Sequence, residues 1–134
     1  MEREKLAPRL EDYLETIYLL EKENKVARVK DIAAARNVKM PTVTEVLKRL
    51  TEKGYIVYEP YGYVVTTQKG RNYAEKLYLK HKVLITFLRD ILGLPPEVAE
   101  REGCLMEHHL SEESVERIER LTKLLKEKGI KLER

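Results

Sequence analysis

Tryptophan is absent from this chain of 134 residues and phenylalanine occurs once, so the 43% apolar fraction is mostly aliphatic. A single cysteine, Cys104, excludes an intrachain disulfide, and nothing supports an oxidising compartment. No run approaches the roughly 20 apolar residues of a membrane span. The N-terminus, MEREKLAPRLEDY, carries acidic residues and no apolar stretch, so it does not read as a secretory signal. The expected location is cytoplasmic, with no membrane partner.

What is present is charge, at 37% of residues, and the abundant Glu and Lys suit helices better than sheets. The formal net charge is only +3, but its distribution is uneven. Residues 25 to 53 hold eight Lys or Arg against three Asp or Glu, whereas residues 97 to 119 are predominantly acidic. A local basic excess is compatible with nucleic-acid contact, but charge alone favours a solvated charged surface.

Apolar periodicity predicts a helix over LEDYLETIYLLEK, with Leu10, Tyr13, Leu14, Ile17 and Leu20 on one face. The segment NKVAR reads as a loop, VKDIAAARN as a short helix and NVKMP as a turn. A longer helix follows in PTVTEVLKRLTEKG, where Val43, Val46, Leu47 and Leu50 form the buried stripe, Pro41 suits the start and Gly54 the stop. YIVYEPYGYVVTT, rich in Tyr, Val and Thr and broken by Glu59, Pro60 and Gly62, predicts a hairpin. A long helix from Gln68 to about Leu92 ends before GLPP, and two more cover roughly 96–110 and 112–128, the last opened by Ser111.

Helix, short helix, turn, longer helix and hairpin is the order of a winged helix-turn-helix. The third helix offers an apolar face to the core and a polar face narrow enough for a major groove. Near its start and on that face lie Lys39, Pro41, Thr42, Thr44, Glu45, Lys48 and Arg49. Thr42, Thr44 and Glu45 suit base edges, and Lys39, Lys48 and Arg49 suit phosphates. The wing around Pro60 to Tyr63 is expected beside the backbone or minor groove.

In EGCLMEHH, residues Cys104, Glu107 and His108 stand at i, i+3 and i+4 and share one helical face. A thiol, a carboxylate and an imidazole there make either a metal site or a semi-polar packing seam. His81, Asp12 and Glu15 are the other available donors, each with an ordinary structural explanation; His109 points about 100° away from His108.

These segments together resemble the diphtheria toxin repressor family of metal-dependent transcriptional repressors, on its manganese-transport-regulator side. The resemblance runs from LEDYLETIYLLEK through DIAAARNVKMPTVTEVLKRLTEKGYI, the wing YEPYGYVVTTQKG and the His at 81 to EGCLMEHHLSEESVERI. It implies a mainly α protein: a winged helix-turn-helix DNA-binding domain over 1–74, then a helical metal-binding and dimerisation domain over 75–134. It implies a homodimer on a palindromic operator and no SH3-like third domain, no small-molecule substrate and no catalysis. The implied metal ligands are Asp12, Glu15, His81, Cys104, Glu107 and His108. Manganese-type members carry Glu where this chain has Cys104, which is the iron-type choice. The acidic residue of the iron-type second site is Ile85 here, and that site's His is replaced by Glu100. The expected effector is therefore Fe²⁺ or Mn²⁺, with the thiolate favouring Fe²⁺, as one or two ions per subunit, acting on metal-uptake genes. The alternatives are a winged-helix DNA binder indifferent to metal, a metalloenzyme, and a metal-storage or structural interaction protein.

Overall fold

A computed structural model of the chain describes residues 4–59 and 62–133. They form two compact units, Met1–Lys76 and Leu77–Arg134.

In the first unit α1 (Pro8–Asn24) opens with Pro8, whose missing N–H falls where a helix has no use for one. It buries Leu10, Tyr13, Leu14, Ile17 and Tyr18, and ends at Lys25 in the left-handed region. Strand β1 (Ala27–Arg28) leads into α2 (Val29–Arg36), which buries Val29, Ile32 and Ala33. Asn37, at φ 55°, closes α2: its N–H reaches Ala34 O and that of Val38 reaches Ala33 O, so the chain turns sharply towards α3. α3 (Met40–Glu52) buries Val43, Val46, Leu47 and Leu50. It ends in the same way, with Gly54 at φ 84°, the Gly54 N–H on Thr51 O and the Tyr55 N–H on Leu50 O.

Strands β2 (Ile56–Glu59) and β3 (Tyr63–Thr66) make the wing, antiparallel with Ile56 opposite Thr66 and Glu59 opposite Tyr63. The sheet has three strands in the order β1-β3-β2, because Ala27 pairs with Val64 and Arg28 with Tyr63. The segment expected as a loop thus contributes a strand; two residues are too few to display an alternating pattern. The expected wing tip at Pro60 lies outside the described residues. The Glu21 carboxylate ties α1 to β3 by accepting from the Thr66 N–H and hydroxyl. Ahead of α1, the Leu6 N–H donates to Tyr73 Oη, which in turn donates to Glu11.

α4 (Gln68–Thr86) starts in the first unit and continues into the second. A Cβ at Gly70 would stand 1.8 Å from the Tyr55 carbonyl oxygen, so only glycine lets the first turn of α4 lie against that backbone. The expected long helix does reach Ile91, but its last turn, Phe87–Ile91, widens to π-helix, with the Leu92 N–H on Phe87 O.

In the second unit α5 (Pro96–Glu107) and α6 (Glu112–Glu127) pack on that π turn. α5 is shorter than the expected 96–110, since His108 is its C-cap. Its close approach to α4 is set at Gly103, where a Cβ would come within 2.9 Å of Ile85 Cγ1. Ser111 caps α6 by accepting from the Ser114 N–H, as its sequence suggests. Lys126 reaches back to Asp90 at 2.9 Å. Leu84, Leu88, Ile91, Ala99 and Val115 are buried, while Leu105, Leu121 and Leu124 stay exposed.

Candidate metal centre

Within the second unit, α5 turns Glu100, Cys104, Glu107 and His108 to one side, at spacings of four, three and one. Donor atoms of Cys104, Glu107 and His108 all lie within 4.8 Å of one another. From α4 the His81 ring enters with Nδ1 at 3.4 Å from Glu107 Oε1 and Nε2 at 2.9 Å from Glu100 Oε1. The Glu107 side chain is sealed from solvent and His108 is 4% exposed, with its Nε2 at 3.9 Å from Glu107.

Neither oxygen of Glu107 has a hydrogen-bond partner among the described residues. A buried carboxylate in that state is costly unless a cation meets it, and here the imidazoles of His81 at 3.4 Å and His108 at 3.9 Å are the groups close enough to supply one. The 3.4 Å to His81 is long for a hydrogen bond. It is close to the separation of neighbouring donors that share one ion, about 3 Å when each bond is about 2.1 Å.

The same contacts set the protonation of the cluster. Burial pulls the His81 imidazole down, but Cys104, Glu107 and Glu100 more than reverse this and push it up to about 11. Hydrogen bonding to His108 and then to His81 holds the Cys104 thiol below its ordinary value, against burial and the charge of Glu107. The cluster therefore gathers anionic donors around protons, and a metal ion competes with those protons for the same atoms. Thiolate, carboxylate and imidazole together suit first-row divalent ions, so this donor set fits such a metal.

Of the remaining expected ligands, Asp12 and Glu15 lie on α1 in the first unit. Asp12 is half-buried and pairs with Arg36 at 3.4 Å, and Glu15 is buried. His109 is exposed and takes no part in the cluster. Glu100 was legible only as a departure from a family pattern. Its place one turn ahead of Cys104 was the signal that it belongs to the same face.

On α3, the side chains of Pro41, Thr44, Glu45, Lys48 and Arg49 are exposed, as is Lys39 just before it, and Thr42 is half-buried. The Thr44 hydroxyl donates to Met40 O at 3.1 Å, which leaves its oxygen lone pairs facing outward as acceptors. Beside the wing, the Arg28 guanidinium stacks 4.5 Å over the Tyr63 ring, a cationic surface that the basic count alone did not localise.

The iron-dependent repressor N-terminal DNA-binding domain matches residues 5–64, and the iron-dependent repressor metal-binding and dimerisation domain matches residues 67–129. The chain belongs to the iron-dependent repressor family. An uncharacterized HTH-type transcriptional regulator of Methanocaldococcus jannaschii is 41% identical over 120 residues, covering 89% of this chain and 96% of that protein. The HTH-type transcriptional regulator MntR of Geobacillus kaustophilus is 40% identical over 126 residues, covering 94% of this chain and 89% of MntR. Among solved structures, the manganese regulator SloR matches 88% of this chain with a TM-score of 0.77 and 30% identity. This chain spans about half of that structure, 55% of its length. Family and fold are those of metal-dependent, DNA-binding transcriptional repressors and not of enzymes. Among the described residues no helix is long and apolar enough to cross a membrane.

Proposed function

We propose that this chain is a cytoplasmic repressor of metal-uptake genes that binds a palindromic operator as a homodimer when intracellular Fe²⁺ or Mn²⁺ is high. The buried Glu107 carboxylate carries the reading: a chain with a DNA-binding unit keeps a sealed carboxylate without a hydrogen bond beside a thiol and two imidazoles. In this reading His81, Cys104, Glu107 and His108 are ligands, and Asp12 and Glu15 of α1 complete the set for one or two ions. The effector then constrains the α3 helices of a dimer to the spacing of the operator's half-sites. Protein without effector samples other spacings, and only the competent fraction counts towards affinity. A coupling of about 1–3 kcal/mol is enough. The DNA-binding domain is taken as 1–74 and the metal-binding and dimerisation domain as 75–134.

For DNA, Thr42, Thr44 and Glu45 face the base edges, Lys39 and Lys48 the phosphates, and Pro41 sets the helix start. The exposed Leu105, Leu121 and Leu124 are apolar surface for a second copy to cover. The thiolate at Cys104 favours Fe²⁺, although availability in the cell must contribute because affinity alone ranks Cu²⁺ and Zn²⁺ higher.

The test is a titration of protein against a candidate palindrome with Fe²⁺, Mn²⁺, Zn²⁺ or chelator in parallel. Tight binding with Fe²⁺ or Mn²⁺ that chelator abolishes is expected. Equal affinity with and without chelator would replace this reading by a winged-helix regulator indifferent to metal.

A further inference from the structure

The two nitrogens of His81 face different partners. Nδ1 looks towards Glu107, whose oxygens lack hydrogen bonds, at 3.4 Å. Nε2 stands 2.9 Å from Glu100 Oε1, a hydrogen bond of ordinary length. The Glu100 side chain is 65% exposed, whereas that of His81 is 11% exposed. An ionised carboxylate can only accept, so in this bond Nε2 carries the proton.

We propose that Glu100 is a positioning residue of the metal centre: by accepting the Nε2 proton of His81 it fixes the ring with Nδ1 as the ligating nitrogen. Metal-bound imidazoles commonly donate their other N–H to a carboxylate, which sets the tautomer and raises the basicity of the ligating atom. Here the carboxylate comes from α5, the helix that also carries Cys104, Glu107 and His108. One helix thus supplies both donors to the cluster and the group that orients the donor arriving from α4.

This assignment rests on the reading of His81 as a ligand, and the experiment separates the two. Full-length protein with ¹⁵N-labelled histidine is loaded with Zn²⁺ as a diamagnetic probe, in wild type, Glu100→Ala and Glu100→Gln. Zn²⁺ affinity is measured by competition with a chromophoric chelator, and circular dichroism confirms the fold. In wild type, Nδ1 of His81 takes a metal-bound shift while the Nε2 proton exchanges slowly. Glu100→Ala loses the slow exchange and binds Zn²⁺ about 10- to 100-fold more weakly. Glu100→Gln, which keeps an acceptor oxygen, falls between. Coordination through Nε2, or a Glu100→Ala variant with unchanged affinity and exchange, overturns the role of Glu100 and leaves the metal centre standing. If Zn²⁺ binds but His81 does not respond, the role of Glu100 and the ligand role of His81 fall while the cluster at Cys104, Glu107 and His108 remains. Absence of Zn²⁺ binding in wild type overturns the metal reading and this assignment with it.

Discussion

Replacing Cys104 by alanine removes the soft donor of the cluster while leaving Glu107 and His108, which every first-row divalent ion accepts. With Co²⁺ under reducing conditions, wild type is expected to show a thiolate-to-cobalt charge-transfer band and Cys104→Ala to lack it. The proposed preference for Fe²⁺, which rests on the thiolate, should fall in the same variant. No band in wild type, with an unchanged Fe²⁺ to Mn²⁺ preference after substitution, would leave Cys104 as packing. Asp90 makes a prediction of another kind. Hydrogen bonds from Arg89 and then Lys126 outweigh burial and hold its carboxyl at about 2, below the ordinary 3.8. A depressed carboxyl stabilises the fold above its unfolded value, and that contribution is lost as pH falls from about 4 through about 2. Thermal melts between pH 5 and 2 should show wild type losing more stability than Asp90→Asn; parallel curves would refute the contribution. The spacing of Cys104, Glu107 and His108 could be read in the sequence because a helical face follows from residue numbers. The bare oxygens of Glu107 and the Glu100 contact could not, since both depend on where α4 places the ring of His81.

At the scale of elements, α3 is the sharpest case of a helix written in its own residues. Its buried stripe of Val43, Val46, Leu47 and Leu50, and its stop at Gly54, follow from 3.6-residue periodicity and glycine's freedom at positive φ. The opposite face presents Lys48 to solvent. Lys48→Ala should weaken binding by a similar factor on specific and non-specific DNA and lower the salt slope by about one unit. Unchanged affinity and slope in a salt titration would mean that another face meets the phosphates. β1 was hidden because Ala27 and Arg28 become a strand only when Val64 and Tyr63 arrive as partners from far along the chain. The π turn was hidden for a related reason: Phe87–Ile91 has helical periodicity, and its wider hydrogen bonding carries no compositional mark.

At the scale of the whole molecule, the order of elements gave the class of fold, since a helix-turn-helix and a wing followed by three helices have few other arrangements. The buried carboxylate of Glu107, which makes no hydrogen bond among the described residues, bears on the chain as a whole. Until a divalent ion arrives only the imidazoles of His81 and His108 oppose its charge, so the effector adds to the stability of the fold when it binds. A ligand at about 100 times its Kd adds about 2.7 kcal/mol to stability. For a chain of this size that is a rise of roughly 10 °C in Tm. Mn²⁺ should therefore raise the melting temperature of wild type and slow its digestion by a protease that cuts the open chain. Glu107→Gln removes the buried charge that the ion would meet, together with the carboxylate that faces His81. It should gain little when Mn²⁺ is added. A variant that gains as much as wild type would show that Glu107 is not a ligand. The expected rise with metal describes a sensor that is short-lived when starved, so that metal scarcity relieves repression by thinning the stock of repressor as well as by loosening its grip on DNA.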